Sequence, residues 1–192
     1  MINIKQTKKT SSTKCKTTWT NVKNQIKDMS SRDLISLIQE LYSVSKDCKT
    51  FLNTRFCENE SSLENVKELI SRFVNPDLDN RQSRVSFVDA KKAISTYAHA
   101  SNQLYNITEL RVYMCEQCAQ FVETYGVEYE DYYDSWANAI KAALADINKL
   151  PIDLQVPFVE RMVDVYYVTK RCGYGIEDIV AWNFKEYGFF DE

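Results

Sequence analysis

Apolar side chains recur at steps of three and four residues along almost the whole chain, and that spacing gathers them on one face of successive helices. Trp19, Val22, Ile26 and Met29 open the pattern as a short amphipathic helix. Leu34, Ile38, Leu41, Val44 or Cys48, Leu52 and Phe56 carry it on without a breaker, which predicts one long core helix. Ser30 or Ser31 is placed to cap that helix, because a serine oxygen accepts from the free amides of a first turn, and Asp33 suits the positive end of its dipole. A third helix starts at Ser61 or Ser62 and turns Leu63, Val66, Leu69, Ile70, Phe73 and Val74 inward. It ends at Asn75-Pro76, since a proline disfavours helical geometry in the residue before it.

The second half continues in the same way. A fourth helix spans roughly 83–100, with Val85, Val88, Ile94 and Tyr97 among its apolar positions. Thr108 is the expected cap of a fifth, whose stripe runs through Leu110, Met114 or Tyr113, Gln117 or Cys118, Phe121 and Tyr125 to Gly126 as terminator. The sixth covers about 128–148 through Tyr129, Tyr133, Trp136, Ile140, Ala143, Leu144 and Ile147. Pro151 suits the first turn of a seventh, or Pro157 is its true start, ahead of Phe158, Met162, Val165 and Tyr166 or Val168. Cys172-Gly173-Tyr174-Gly175 stops it, and 176–185 makes a last short helix with Ile179, Val180, Trp182 and Phe184. The expectation is an all-α fold of seven to eight antiparallel helices, as a bundle or as stacked helical hairpins. Only four glycines and three prolines occur in 192 residues, which starves hairpins and phosphate-cradling loops of their usual residues.

Residues 1–18 read as a mobile basic N-terminal arm carrying Lys5, Lys8, Lys9, Lys14 and Lys16, ahead of a single helical domain over 19–192. The loop at 76–82 is the place for a subdomain boundary if there is one. Residues 1–100 hold 17 Lys/Arg against 11 Asp/Glu, and residues 101–192 hold 7 against 16, so the halves are electrically opposite although the net charge is only −3. Such a chain can pair with itself head to tail, or offer one basic and one acidic surface to different partners. No run approaches the ~20 apolar residues of a membrane span, and Met1 to Thr20 lacks the apolar stretch of a secretory signal. The expected location is cytoplasmic with no membrane partner, and the six irregularly spaced cysteines are expected to be reduced.

Cys115-Glu116-Gln117-Cys118 has the spacing of a redox pair, but such a thiol works at a helix N-terminus, where free amides stabilise the thiolate. Here the pair falls well inside a helix, and Cys48, Cys57, Cys172 and His99 offer no second tight pair for zinc, so structural packing is expected. His99 is the only histidine, which removes every centre that needs two imidazoles. Glu109, Glu116 and Glu123 lie seven apart and form one negative line along the fifth helix. Between Val112 and Ile140 there is no Lys or Arg, while Glu116, Glu123, Glu128, Glu130, Asp131 and Asp134 interleave with Tyr125, Tyr129, Tyr132, Tyr133 and Trp136. An exposed face of this kind suits a basic protein segment, because tyrosine supplies rigid contact area at low entropic cost. The alternative arrangement turns the aromatics into the core and the acids to water. Gly173-Tyr174-Gly175 lacks the third glycine and the preceding strand of a dinucleotide site, and no phosphate loop or nucleophile elbow occurs.

Several strings taken together resemble a bacterial helical domain family of unknown function: Leu41-Tyr42, Phe51-Leu52, Phe73-Val74-Asn75-Pro76, Lys91-Lys92-Ala93-Ile94, Glu109-Leu110 with Tyr113, Phe121 with Tyr125-Gly126, and Tyr132-Tyr133-Asp134-Ser135. The resemblance covers roughly residues 20–150 and implies a bacterial or mobile-element, cytosolic, helical protein. It implies no activity.

The functional expectation is a non-enzymatic helical interaction protein or accessory subunit, without cofactor or metal. Its candidate partner surface is Glu116, Glu123, Glu128, Tyr129, Glu130, Asp131, Tyr132 and Asp134. The alternatives are a nucleic-acid-associated module that contacts phosphates through Lys5, Lys8, Lys9, Lys14 and Lys16, and a metal-dependent hydrolase built on the acidic line.

Overall fold

A computed structural model describes residues 18–56, 60–80, 83–101 and 103–190. Among them the fold is all-α, with nine helices and no strand. These are α1 (Trp19–Ile26), α2 (Ser31–Val44), α3 (Lys46–Phe56), α4 (Glu60–Val74), α5 (Phe87–Ser101), α6 (Leu104–Tyr125), α7 (Glu130–Ile147), α8 (Ile152–Thr169) and α9 (Ile176–Glu186). No helix among the described residues is long and apolar enough to cross a membrane.

The count exceeds the expected seven to eight because the stretch read as one long core helix is two. Ser45 interrupts it: its hydroxyl accepts from the Cys48 amide at 3.3 Å while its carbonyl accepts from the Lys49 amide at 2.9 Å, so it serves as the N-cap of α3. A serine offers the backbone this alternative to an unbroken helix wherever the chain can turn there. The chain divides at the same point into two compact units, one ending at Val44 and the other beginning at Ser45. The loop at 76–82 lies inside the second unit.

In the first unit, Ser30 caps α2, accepting from the Asp33 amide at 3.2 Å and donating to the Asp33 carboxylate at 2.7 Å. None of its described residues is buried. The expectation that Leu34, Ile38 and Leu41 belong to a core helix is therefore corrected. Two helices of 8 and 14 residues hold too little apolar surface to enclose a core of their own.

The second unit is organised around α6, which packs against α4, α5, α7 and α8. A helix with neighbours on several sides buries more than one stripe, and α6 buries Leu110, Met114, Cys118 and Phe121 as well as Val112, Cys115 and Ala119. α7 supplies the largest core side chain, Trp136, fully buried, whose indole N–H donates to the Cys115 carbonyl at 3.2 Å. Burying an indole removes on the order of 200 Å² from water, the largest apolar contribution any residue type can make.

The helix ends follow local chemistry. α5 starts at Phe87 and not at 83, because Ser86 caps it, accepting from the Asp89 amide at 3.3 Å. α6 starts four residues before the expected cap: Thr108 sits inside it and returns its hydroxyl to the Leu104 carbonyl at 2.9 Å. Gly126 ends α6 with φ 66° and ψ 153°, a conformation open to glycine alone. Pro151 precedes α8 as its N-cap residue and Pro157 lies within it. The Cys172 to Gly175 segment separates α8 from α9 as expected. In it Tyr174 adopts φ 60°, stacks on Tyr133 with ring centroids 5.2 Å apart, and donates its hydroxyl to the Glu128 carbonyl at 2.7 Å. These contacts hold a backbone conformation that a tyrosine alone disfavours.

Candidate functional site

The acidic line on α6 forms as its seven-residue spacing requires, and it is answered from α8 and α4. Arg161 lies between two of its members, with Nη1 2.5 Å from Glu109 Oε2, and Nε and Nη2 at 2.7 and 2.8 Å from the two oxygens of Glu116. Lys67 on α4 approaches Glu109 at 3.0 Å and Glu64 at 3.1 Å. Arg171 pairs with Glu123. Burial pushes the Glu109 carboxyl up, but the hydrogen bonds and charges of Arg161 and Lys67 outweigh it and leave the carboxyl below its ordinary value. On Arg161 the bond to Glu116 is the largest effect and raises the guanidinium further. The line is thus an ion-pair seam joining α4, α6 and α8. Both oxygens of Glu109 and of Glu116 are taken by protein cations, so these two carboxylates bind helices together.

The expected partner surface is divided by the structure. Tyr132 is 8% exposed, stacks on Phe121 at 5.7 Å and donates its hydroxyl to the Cys118 carbonyl at 3.2 Å. It is a core residue, and its place in the surface is corrected: its ring fills the α6–α7 contact, and the carbonyl satisfies its one polar atom. Tyr133 and Trp136 are buried as well. Glu116 is half-buried against Arg161, and Glu123, although exposed, is paired with Arg171. Glu128, Tyr129, Glu130, Asp131 and Asp134 stay exposed at the α6–α7 connection and along α7, with Tyr129 at 75%. Glu130 and Asp131 have a structural reason to be there, since acids in a first turn oppose the helix dipole.

Cys115 and Cys118 are fully buried between α6 and α7, and burial pushes both thiols up, which keeps them protonated and unreactive. Among the described residues no group of three His, Cys, Asp or Glu is arranged to hold a metal ion. His99 is exposed on α5. The arm residues Lys5, Lys8, Lys9, Lys14 and Lys16 lie outside the described residues.

The surface that sequence reasoning assigned to the interior is on α2. At 3.6 residues per turn, Leu34, Ile35, Leu37, Ile38, Leu41 and Val44 fill one half of the helix circumference, and Arg32, Asp33, Ser36, Gln39, Glu40 and Ser43 fill the other. Ile35 is 65% exposed and Val44 86%, with Ile38 and Leu41 close to half. α1 adds Trp19 and Val22, both exposed. The signal was present in the width of the stripe, because an apolar arc covering half a helix needs cover from more than one neighbour. Scanned against protein-family models, curated proteins and solved structures, the chain matches none of them.

Proposed function

We propose that the chain is a non-enzymatic helical interaction protein, self-associating or serving as an accessory subunit of a cytoplasmic bacterial assembly, and that α1 and α2 carry the contact. The observation that supports this reading most is that the apolar half of α2 has no buried residue and leaves Ile35, Ile38, Leu41 and Val44 exposed. Apolar side chains left in water forgo about 25 cal/mol per Å², and a contiguous exposed patch of this kind marks an association site. The second unit contributes a rigid body in which the carboxylates of α6 hold helices together.

Light scattering over a range of concentrations, combined with co-purification from the native lysate, tests the reading. Association that is lost in Ile38→Glu and Leu41→Glu variants of unchanged helix content supports it. A chain that stays monomeric and retains nothing, or an assembly indifferent to both substitutions, overturns it.

A further inference from the structure

Helices α5, α6 and α7 enclose a groove of about 420 Å³, within the size range of small-molecule sites. Lys91, Ser95 and His99 enter it from α5 at four-residue intervals, so they form one line along that helix, about 12 Å from end to end. Arg111 of α6 and Asn138 of α7 complete the polar lining, and the rest is Ile94, Met114 and three alanines. No carboxylate lines the groove.

The charges of this lining are not cancelled from within. Lys91 makes no ion pair or hydrogen bond among the described residues. Arg111 is steadied by Asp146, with Nε 2.7 Å from Oδ2, but the other oxygen of that carboxylate already accepts from Lys149 at 2.8 Å. One anion is shared by two cations, so Arg111 keeps a surplus of positive charge at the groove. The neighbouring groove between α3, α4 and α5, of about 500 Å³, differs in having carboxylates, Asp47 and Asp89, in its lining, and Lys92 pairs there with Asp47 at 2.8 Å.

We infer that the α5–α6–α7 groove is a binding site for a small organic anion with an apolar body, its acid group taken by Lys91, Arg111 and the donors between them and its body laid on Ile94, Met114 and the alanines. An unpaired lysine and an arginine whose one carboxylate is shared give this concavity a positive potential, and charge-assisted hydrogen bonds from ammonium and guanidinium are the strong ones. The small side chains of Ala98, Ala139 and Ala142 are what leave room for the apolar part.

Calorimetric titration of the full chain with four ligands of one chain length, octyl phosphate, octanoate, octanol and octylammonium, tests this. Octyl phosphate or octanoate should bind at least tenfold more tightly than octanol, with octylammonium weakest, and which acid wins identifies the head group. Lys91→Gln should weaken the anion by about tenfold. Ala142→Leu, at a half-exposed position lining the groove, should block it. Lys92→Gln in the neighbouring groove should change nothing. Equal affinity for octylammonium and octanoate, or anion binding that survives both Lys91→Gln and Ala142→Leu, overturns the assignment. Lys91→Gln and Ala142→Leu both leave the Arg111–Asp146 pair in place, and unchanged circular dichroism of each confirms that the result is not one of folding.

Discussion

α2 and α6 carry apolar residues at the same helical spacing, yet α6 buries eight of its residues and α2 buries none. The difference lies in the neighbours. α6 meets four other helices, whereas among the described residues the unit of α2 supplies only the eight-residue α1. Periodicity reports which face of a helix is apolar, and the number of helices available to cover that face is a property of the rest of the unit. Where cover is scarce, the same pattern that builds a core in one region leaves a contact surface in another.

Substitutions on both sides of this contrast should separate widely. Trp136→Ala is expected to destabilise the second unit by about 3–5 kcal/mol, read as a lowered urea midpoint in circular dichroism, because it empties a fully buried site and frees the Cys115 carbonyl of its extra donor. If Trp19→Ala cost as much, α1 would be a core element and the contrast would fail.

Arg161→Met should cost about 1.5–3 kcal/mol, since it leaves Glu116 without its charged partner and Glu109 with Lys67 alone in a half-buried seam. The seam also sets an acid limit. The Glu109 carboxyl sits lower in the folded chain than its ordinary 4.5, so its contribution is complete above that pH and is lost as the pH falls through the depressed value. Arg161→Met should flatten this part of the acid unfolding curve, and an unchanged curve would remove the seam from the account.

Gly126→Ala should cost about 1–2 kcal/mol, a smaller effect and purely conformational, because a methyl group there meets nothing within 4 Å while the backbone angle stays unfavourable. Thermal melts check this, and an unchanged midpoint would mean that the turn does not need glycine. Smallest of all, Leu41→Glu should move the melting of the second unit by less than about 0.5 kcal/mol while abolishing association. A large loss of stability there would mean that the α2 face is structural.

Much of the fold was legible from the residues. α4, α7 and α9 lie within two residues of their expected bounds, because a proline, an acidic first turn and a glycine-tyrosine-glycine turn punctuate them locally. The break at Ser45 was not legible, since serine is compatible with both a helix interior and a cap, and the packing partners decide which it becomes. Thr108 looked like a cap for the same reason, and instead bonds back to Leu104 within α6. For the candidate surface, alternation of acids and tyrosines along α7 does not distinguish an interface from an amphipathic helix. Tyr129 is exposed because it is the extended N-cap residue ahead of α7, whereas Tyr132 lies within the first turn and points into the core. The groove residues Lys91, Arg111 and Asn138 come from three helices, and no local spacing announces their convergence.

The link between Glu109 and Arg161 spans 52 positions of chain. Glu109 is also held by Lys67, so one carboxylate ties α4, α6 and α8 through contacts distant in sequence. Such contacts carry a loop-closure cost before they stabilise anything, which makes this seam a slow step to assemble compared with the local turns of each helix.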